Sequence, residues 1–163
     1  MNIEPSEKKF PLGRTFTVLA KTYLGVIAEK LEHTKIDRFF FALLLIDNEE
    51  GNITQQRLSD ILSTDKVTIV RVIDYLSKNG LVKRQVNKSD RREHLLILTS
   101  KAEKILPDIK KAYKETENEA LKGISSKRRD NFKECLSIVQ RNLSLLPSKK
   151  VIIKFNKTKR LTK

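Results

Sequence analysis

The sequence predicts a mainly α protein carrying one small β-hairpin. Three observations point there. Apolar residues recur every three or four positions along most of the 163-residue chain, the spacing of one helical face. Between Leu81 and Leu98 the period drops to two, the spacing of strands. Gly (5), Pro (4) and aromatic residues (6%) are scarce, which argues against a sandwich or barrel rich in turns. With 39% hydrophobic and 33% charged residues, the chain can bury a core of its own.

The elements follow in order. Leu12, Phe16, Leu19, Tyr23, Ile27 and Leu31 predict one long helix over residues 12–33. Asp37 is placed to cap a second helix, and Phe39–Ile46 is apolar on every side, so this helix should be the most buried. Its pattern alone would also suit a buried strand; the helical segments on both sides favour helix. Asn48-Glu49-Glu50-Gly51-Asn52 reads as a turn. Thr54 suits the cap of a short third helix with Leu58, Ile61 and Leu62 on one face. Ser63-Thr64-Asp65 interrupts the pattern, and a fourth helix runs from about Lys66 to Lys78 on a stripe of Ile69, Val72, Ile73 and Leu76. Asn79-Gly80 ends it, with Gly80 suited to a left-handed terminus.

Leu81–Val86 and Glu93–Leu98 predict two strands around a polar, basic loop, Asn87–Arg92. Ser100-Lys101-Ala102-Glu103 has the capping-box pattern of a long helix. Its stripe continues through Ile105, Ile109, Ala112, Tyr113, Thr116 and Ala120, with Pro107 in its early turns and Gly123 as its breaker. Ser125-Ser126 opens a last helix with Phe132, Leu136, Val139, Leu143 and Leu146 on one side, stopped by Pro147.

The net charge of +14 implies a polyanionic partner: DNA, RNA or an acidic membrane surface. The charge is uneven. Residues 1–53 carry 7 basic and 8 acidic groups, whereas 54–100 carry 9 and 5, 101–145 carry 11 and 7, and the last 18 residues carry 7 and none. The single cysteine, Cys135, excludes an intrachain disulfide and fits a reducing, cytoplasmic compartment. Arg14 and Lys21 break any apolar signal segment, and the longest apolar run is too short to span a membrane.

Residues 54–79 thus read as a short helix, a three-residue turn and a second helix, the spacing of a helix-turn-helix, and the hairpin behind it reads as a wing. Opposite the stripe of the fourth helix lie Val67, Arg71, Asp74 and Lys78, flanked by Thr68 and Val70. A helix of this size fits the major groove, where Arg can grip guanine and Thr or Val methyls can touch the thymine methyl. An amphipathic helix with a few exposed valines would look the same. Lys88, Arg91 and Arg92 sit at the hairpin tip, where long cations reach a phosphate or the minor groove, or where a solvated turn simply carries charge.

The run from Asp65 to Val82 resembles the recognition helix and first wing strand of MarR-family regulators. Asp90-Arg91-Arg92, followed by Leu98-Thr99, resembles that family's wing signature of Asp, any residue, Arg, then Leu-Thr. The resemblance implies one MarR-like unit over residues 1–147, with a winged helix-turn-helix core at about 37–99, dimerisation helices at about 10–34 and 100–146, and a basic tail at 148–163. It implies a homodimer on a pseudo-palindromic double-stranded operator, commonly a repressor released by small aromatic acids, other phenolics or oxidants, with an effector held between the dimer helices and the winged part. Carried over by position, the DNA-binding residues are Thr64, Lys66, Val67, Thr68, Val70 and Arg71 in the recognition helix and Lys88, Asp90, Arg91 and Arg92 in the wing. Arg92 would enter the minor groove with Asp90 orienting it.

The chain departs from the family in two places. Helix one lacks the cysteine of peroxide-sensing members, and Cys135, beside the last stripe, reads as a packing residue. The tail from Lys149 onward either holds further phosphates or is disordered, or its cluster Val151-Ile152-Ile153 packs on a partner subunit. Phe16, Tyr23, Phe39 and Phe40 suit a core, or the lining of an effector pocket. Catalysis finds no support: His33, expected at the dipole end of helix one, and His94, expected on the surface of a wing strand, have no metal-ligand spacing, and no phosphate-binding glycine loop or nucleophile elbow is present. No metal or cofactor is expected. Non-specific nucleic-acid binding, a membrane-surface role for the tail, and a winged helix used only for protein contacts remain as alternatives.

Overall fold

The computed structural model describes residues 11–36, 38–87 and 89–148. Helices α1 (Leu12–Lys30), α2 (Phe40–Asn48), α3 (Gln55–Ile61) and α4 (Lys66–Lys78) come first, with a 3-10 turn at Glu32–Thr34 and a short strand β1 (Ile53–Thr54) before α3. Strands β2 (Val82–Val86) and β3 (His94–Leu98) follow, then α5 (Ser100–Ala120) and α6 (Ser126–Ser144). This is the mainly α fold with a β-hairpin that the two periodicities predict.

The core is organised around α4. Ile69, Val72, Ile73 and Leu76 are each at most 4% exposed, so the stripe read from spacing is the buried one. They share one cluster with Leu43 and Ile46 of α2, Leu58 of α3, Leu96 of β3 and Ile109 of α5. The hairpin is widened to a three-stranded antiparallel sheet in the order β1-β3-β2, with Ile53 and Arg84 on either side of Leu96. Two residues show no period, so nothing in the sequence marks β1. The turn feeding it needs glycine: Gly51 has φ +76, and a Cβ there would lie 2.9 Å from the Ile97 side chain.

Several ends differ from expectation. The first helix stops at Lys30 and tightens into the 3-10 turn, where His33 Nε2 meets Asp108 Oδ2 of α5 at 2.9 Å instead of serving the helix end alone. The second begins at Phe40; Asp37 lies outside the described residues, and Phe39 is the N-cap, in the left-handed region at φ 66 with no side-chain cap. Such a conformation is uncommon for a bulky residue. Here the Phe39 ring packs edge-on to Tyr75, and the Arg38 guanidinium lies over both rings. The second helix is not buried all round, because Phe41 is 47% exposed. His94 is exposed, as expected.

The cap of α5 is Thr99, not Ser100: Thr99 is extended and its Oγ1 accepts from the Ala102 amide. The buried face of α5 is Ala102, Leu106, Ile109, Ala112 and Thr116; Ile105 and Tyr113 are half-buried and Ala120 is exposed. Pro107 stays inside the helix with its ring at the surface. Tyr23, Phe41 and Tyr113 meet where α1, α2 and α5 join. Burial there, and secondarily Tyr23, pushes the Tyr113 phenol up to about 12. Of the aromatics that suited core or pocket, Phe40 is buried in the core, Tyr23 and Phe39 pack against it, and Phe16 is half-buried.

The largest departure is α6, which has no buried residue. Its stripe is uncovered: Phe132, Leu136 and Leu143 are exposed, and so is Cys135, which therefore does not pack in the core of this chain.

Leu76 is fully buried, and Leu76→Ala should cost about 2–5 kcal/mol in denaturant unfolding followed by circular dichroism. Asp65 caps α4: its carboxylate accepts the Thr68 amide at 2.8 Å and the Thr68 hydroxyl at 2.7 Å. Those bonds, the amide first, hold its pKa below the ordinary carboxyl value. A depressed folded pKa contributes stability that is present above the ordinary value of about 3.9 and lost as pH falls through the lower folded value. The lead of the native protein over Asp65→Asn in unfolding midpoint should therefore shrink as pH is lowered through and below about 3.9; a constant lead would contradict this.

Candidate nucleic-acid interface

The turn between α3 and α4 is clamped from both sides. Buried Ser59 donates its hydroxyl to the Thr64 carbonyl, and the Thr64 amide donates to the Ser59 carbonyl, both at 3.0 Å. Ser63 takes the left-handed conformation between them, at φ 47. Thr54 caps α3 by accepting from the Arg57 amide, as its position predicts. The other end of α4 is held by α5: Thr99 donates its hydroxyl to the Gly80 carbonyl at 2.6 Å, and Lys101 Nζ donates to the Asn79 carbonyl at 2.8 Å. These bonds satisfy carbonyls that a helix end leaves open. Gly80 has the left-handed φ, +71, that its sequence position implies.

With both ends tied and one face buried, α4 presents its remaining face outward. Val67 is 61% exposed, and Lys66 and Arg71 are exposed beside it. Val70, Thr68 and Thr64 are half-buried at the margins. Thr68 is less available than its sequence position suggests, because its hydroxyl is turned onto the Asp65 cap. Asp65 lies three residues before Thr68, a cap spacing visible in the sequence in hindsight.

The wing tip is a closed turn. The Asn87 amide donates to the Glu93 carbonyl and the Glu93 amide to the Asp90 carbonyl, both at 3.0 Å. Asp90 Oδ1 accepts the Arg92 backbone amide at 2.9 Å. Asp90 thus shapes the main chain at Arg92 and does not hold its guanidinium. Arg91 and Arg92 are exposed; Lys88 lies outside the described residues.

The charges of this segment are sorted. Every acid from Asp60 to Glu93 already accepts a hydrogen bond: Asp60 from Gln56, Asp65 from Thr68, Asp74 from Arg84, Asp90 from the Arg92 amide and Glu93 from Asn87. Arg57, Lys66, Arg71, Lys78, Lys83, Arg91 and Arg92 are exposed, and among the described residues only Arg84 of this segment is bound by a carboxylate. Asp74 shares the outward face of α4, so its 2.7 Å pair with Arg84 screens the one negative charge there. No sequence signal marks that pair, since it joins a helix to a strand. Arg57, on α3, also belongs to the basic surface and went unmarked in the sequence because a lone arginine on a short helix carries no pattern. Among the described residues no group of three or more His, Cys, Asp or Glu could hold a metal, and no helix is long and apolar enough to cross a membrane.

A sequence model of the MarR family matches residues 39–94. The chain is 30% identical to a MarR transcriptional regulator from Methanosarcina mazei Go1, over 83% of this chain and 98% of that one, with a TM-score of 0.72. It is 25% identical to MarR itself over 87% and 97% of the two chains, again at TM-score 0.72. A putative MarR family transcriptional regulator from Listeria monocytogenes, complexed with 26mer DNA, is 26% identical over 83% and 90%, at TM-score 0.74. The chain belongs to the MarR family, a family of transcriptional regulators and not of enzymes.

Proposed function

We propose that the protein is a sequence-specific regulator that binds a pseudo-palindromic double-stranded DNA operator as a homodimer and represses transcription. The sorting of charge over α3, α4 and the wing carries the reading: exposed cations surround Val67 and Arg71, while the neighbouring acids are occupied within the protein. Such a surface attracts the phosphate backbone and keeps a helix face free for base edges. The DNA complex of the Listeria relative supports the same partner. The candidate contacts are Thr64, Lys66, Val67, Thr68, Val70 and Arg71 in the major groove, with Asp90, Arg91 and Arg92 placing the wing on the flanking minor groove; Lys88 belongs with them by sequence alone.

The dimer reading rests on α6. Its exposed Leu136 and Leu143 and half-buried Val139 line a recess of about 340 Å³ with Phe16 of α1, a surface that a second copy would cover. We therefore assign residues 10–34 and 100–146 to dimerisation, 37–99 to DNA and 148–163 to a basic tail. In a dimer the two α4 helices must match half-sites about one helical turn apart, ~34 Å. A small aromatic or phenolic effector would act only by binding one spacing better than the other. The family likeness supports that control.

The deciding measurement is fluorescence anisotropy of duplex DNA from the protein's own upstream region against a scrambled duplex, across a salt series. The expected result is salt-dependent binding at least ~10³ tighter for the native duplex. Equal, steeply salt-dependent binding to both that and every other genomic duplex would make the protein a non-specific binder. Arg71→Ala should cost about 1–3 kcal/mol and relax preference at one base pair. Arg92→Ala should weaken binding while sparing major-groove preference. Equal losses for Arg71→Ala on operator and scrambled DNA would remove it as a base reader. In sedimentation, the native chain should run as a dimer and the Leu136→Asp/Leu143→Asp double variant as a folded monomer.

A further inference from the structure

We infer that α4 reads thymine methyl groups, through a methyl-lined surface of Val67, Val70 and Thr68 beside Arg71. This rests on the proposal that α4 is the base-contacting helix, and names the base it reads next to the one gripped by Arg71.

The exposed valine is the starting point. Val67 is 61% exposed, among neighbours on the same face, Lys66, Arg71, Asp74 and Lys78, that are all charged. An isolated exposed valine needs no explanation. Val67, Val70 and Arg71, however, stand at i, i+3 and i+4, so they are neighbours on the helix surface.

Thr68 extends that surface in a way only the structure shows. Its hydroxyl donates to Asp65 Oδ2 at 2.7 Å, while its amide donates to Asp65 Oδ1 at 2.8 Å. To donate to a base, the hydroxyl would have to give up Asp65 Oδ2, while the amide cap on Oδ1 would remain. With that bond kept, Thr68 has its methyl and the lone pairs of Oγ1 left to offer, and the methyl is the group that thymine matches.

Asp74, the one acid on this face, is engaged by Arg84 at 2.7 Å. In the major groove thymine alone carries a methyl, on C5, and guanine offers two acceptors to an arginine. Methyls beside a guanidinium therefore match thymine next to guanine on the contacted strand.

The test begins with a duplex enriched from a randomised pool by binding to the full chain. Each thymine of that duplex is then replaced, one at a time, by deoxyuridine, which removes only the methyl. The expected result is a position in each half-site, adjacent to the guanine whose preference Arg71→Ala loses, where the native protein binds the deoxyuridine duplex about 4-fold more weakly per methyl removed. Val67→Ala or Thr68→Ser should erase that difference; Thr68→Ser removes the methyl and keeps the capping hydroxyl, and unchanged melting temperatures show that the fold is intact. If the native protein tolerates deoxyuridine everywhere while Arg71→Ala still loses its guanine, methyl reading is overturned and the base-reading helix stands. If no duplex is enriched and Arg71→Ala changes nothing, the reading of α4 itself falls, and this inference with it.

Discussion

Burying Ile69, Val72, Ile73 and Leu76 leaves Val67 and Arg71 on the opposite side of α4, facing out. That burial is the constraint on which the remaining arrangement depends. A helix anchored only by an apolar face could still slide or roll. Here both ends are also tied, by Asp65 at the first turn and by Thr99 and Lys101 at the last carbonyls. The Ser59–Thr64 clamp then sets α3 against α4. The outward face becomes a rigid feature of the core rather than of a loop, which is what recognition of a fixed groove geometry requires.

The tie to α5 has a mechanical consequence. The first turn of α5 supplies the donors that satisfy the Asn79 and Gly80 carbonyls, so a tilt of α5 cannot leave α4 behind without opening those bonds. The middle of α5 is joined to α1 and α2 by Lys30–Glu115 and Lys110–Asp47 at its surface and by the Tyr23–Phe41–Tyr113 cluster beneath. The exposed ion pairs add little energy individually. Ile109 and Ala112 of α5 share the core with α1, α2 and α4, and Phe39 at the start of α2 also meets Tyr75 of α4 directly.

Charge is arranged by pairing as much as by composition. A net of +14 favours any polyanion, but it does not say where the anion sits. Over α3, α4 and the wing, acids close caps, turns and one cross-element pair, and the cations are left facing solvent. Around α5 the opposite holds: Lys30, Lys110 and Lys133 meet carboxylates of facing helices. Over α3, α4 and the wing the pairing thus leaves most cations facing solvent, although basic residues occur along most of the chain.

Amino-acid order alone determined the helical and strand periods, the stripe of α4, the capping role of Thr54, the left-handed Gly80 and the family, because each is a short-range pattern of a few residues. It also marked Lys66, Val67, Arg71, Arg91 and Arg92 as surface groups of a helix and a wing, and the structure leaves them exposed. Short-range pattern misled where two structures share one period. The α6 stripe through Phe132, Leu136 and Leu143 looks like a core stripe, yet these residues are exposed and nothing among the described residues buries them. What only the tertiary structure decided are the pairings across sequence distance: β1 with β3, Asp74 with Arg84, and Thr99 and Lys101 with the end of α4. A period reports which side of an element is apolar; which partner meets that side, and which charge is cancelled on it, depends on elements far along the chain being brought to within hydrogen-bond distance.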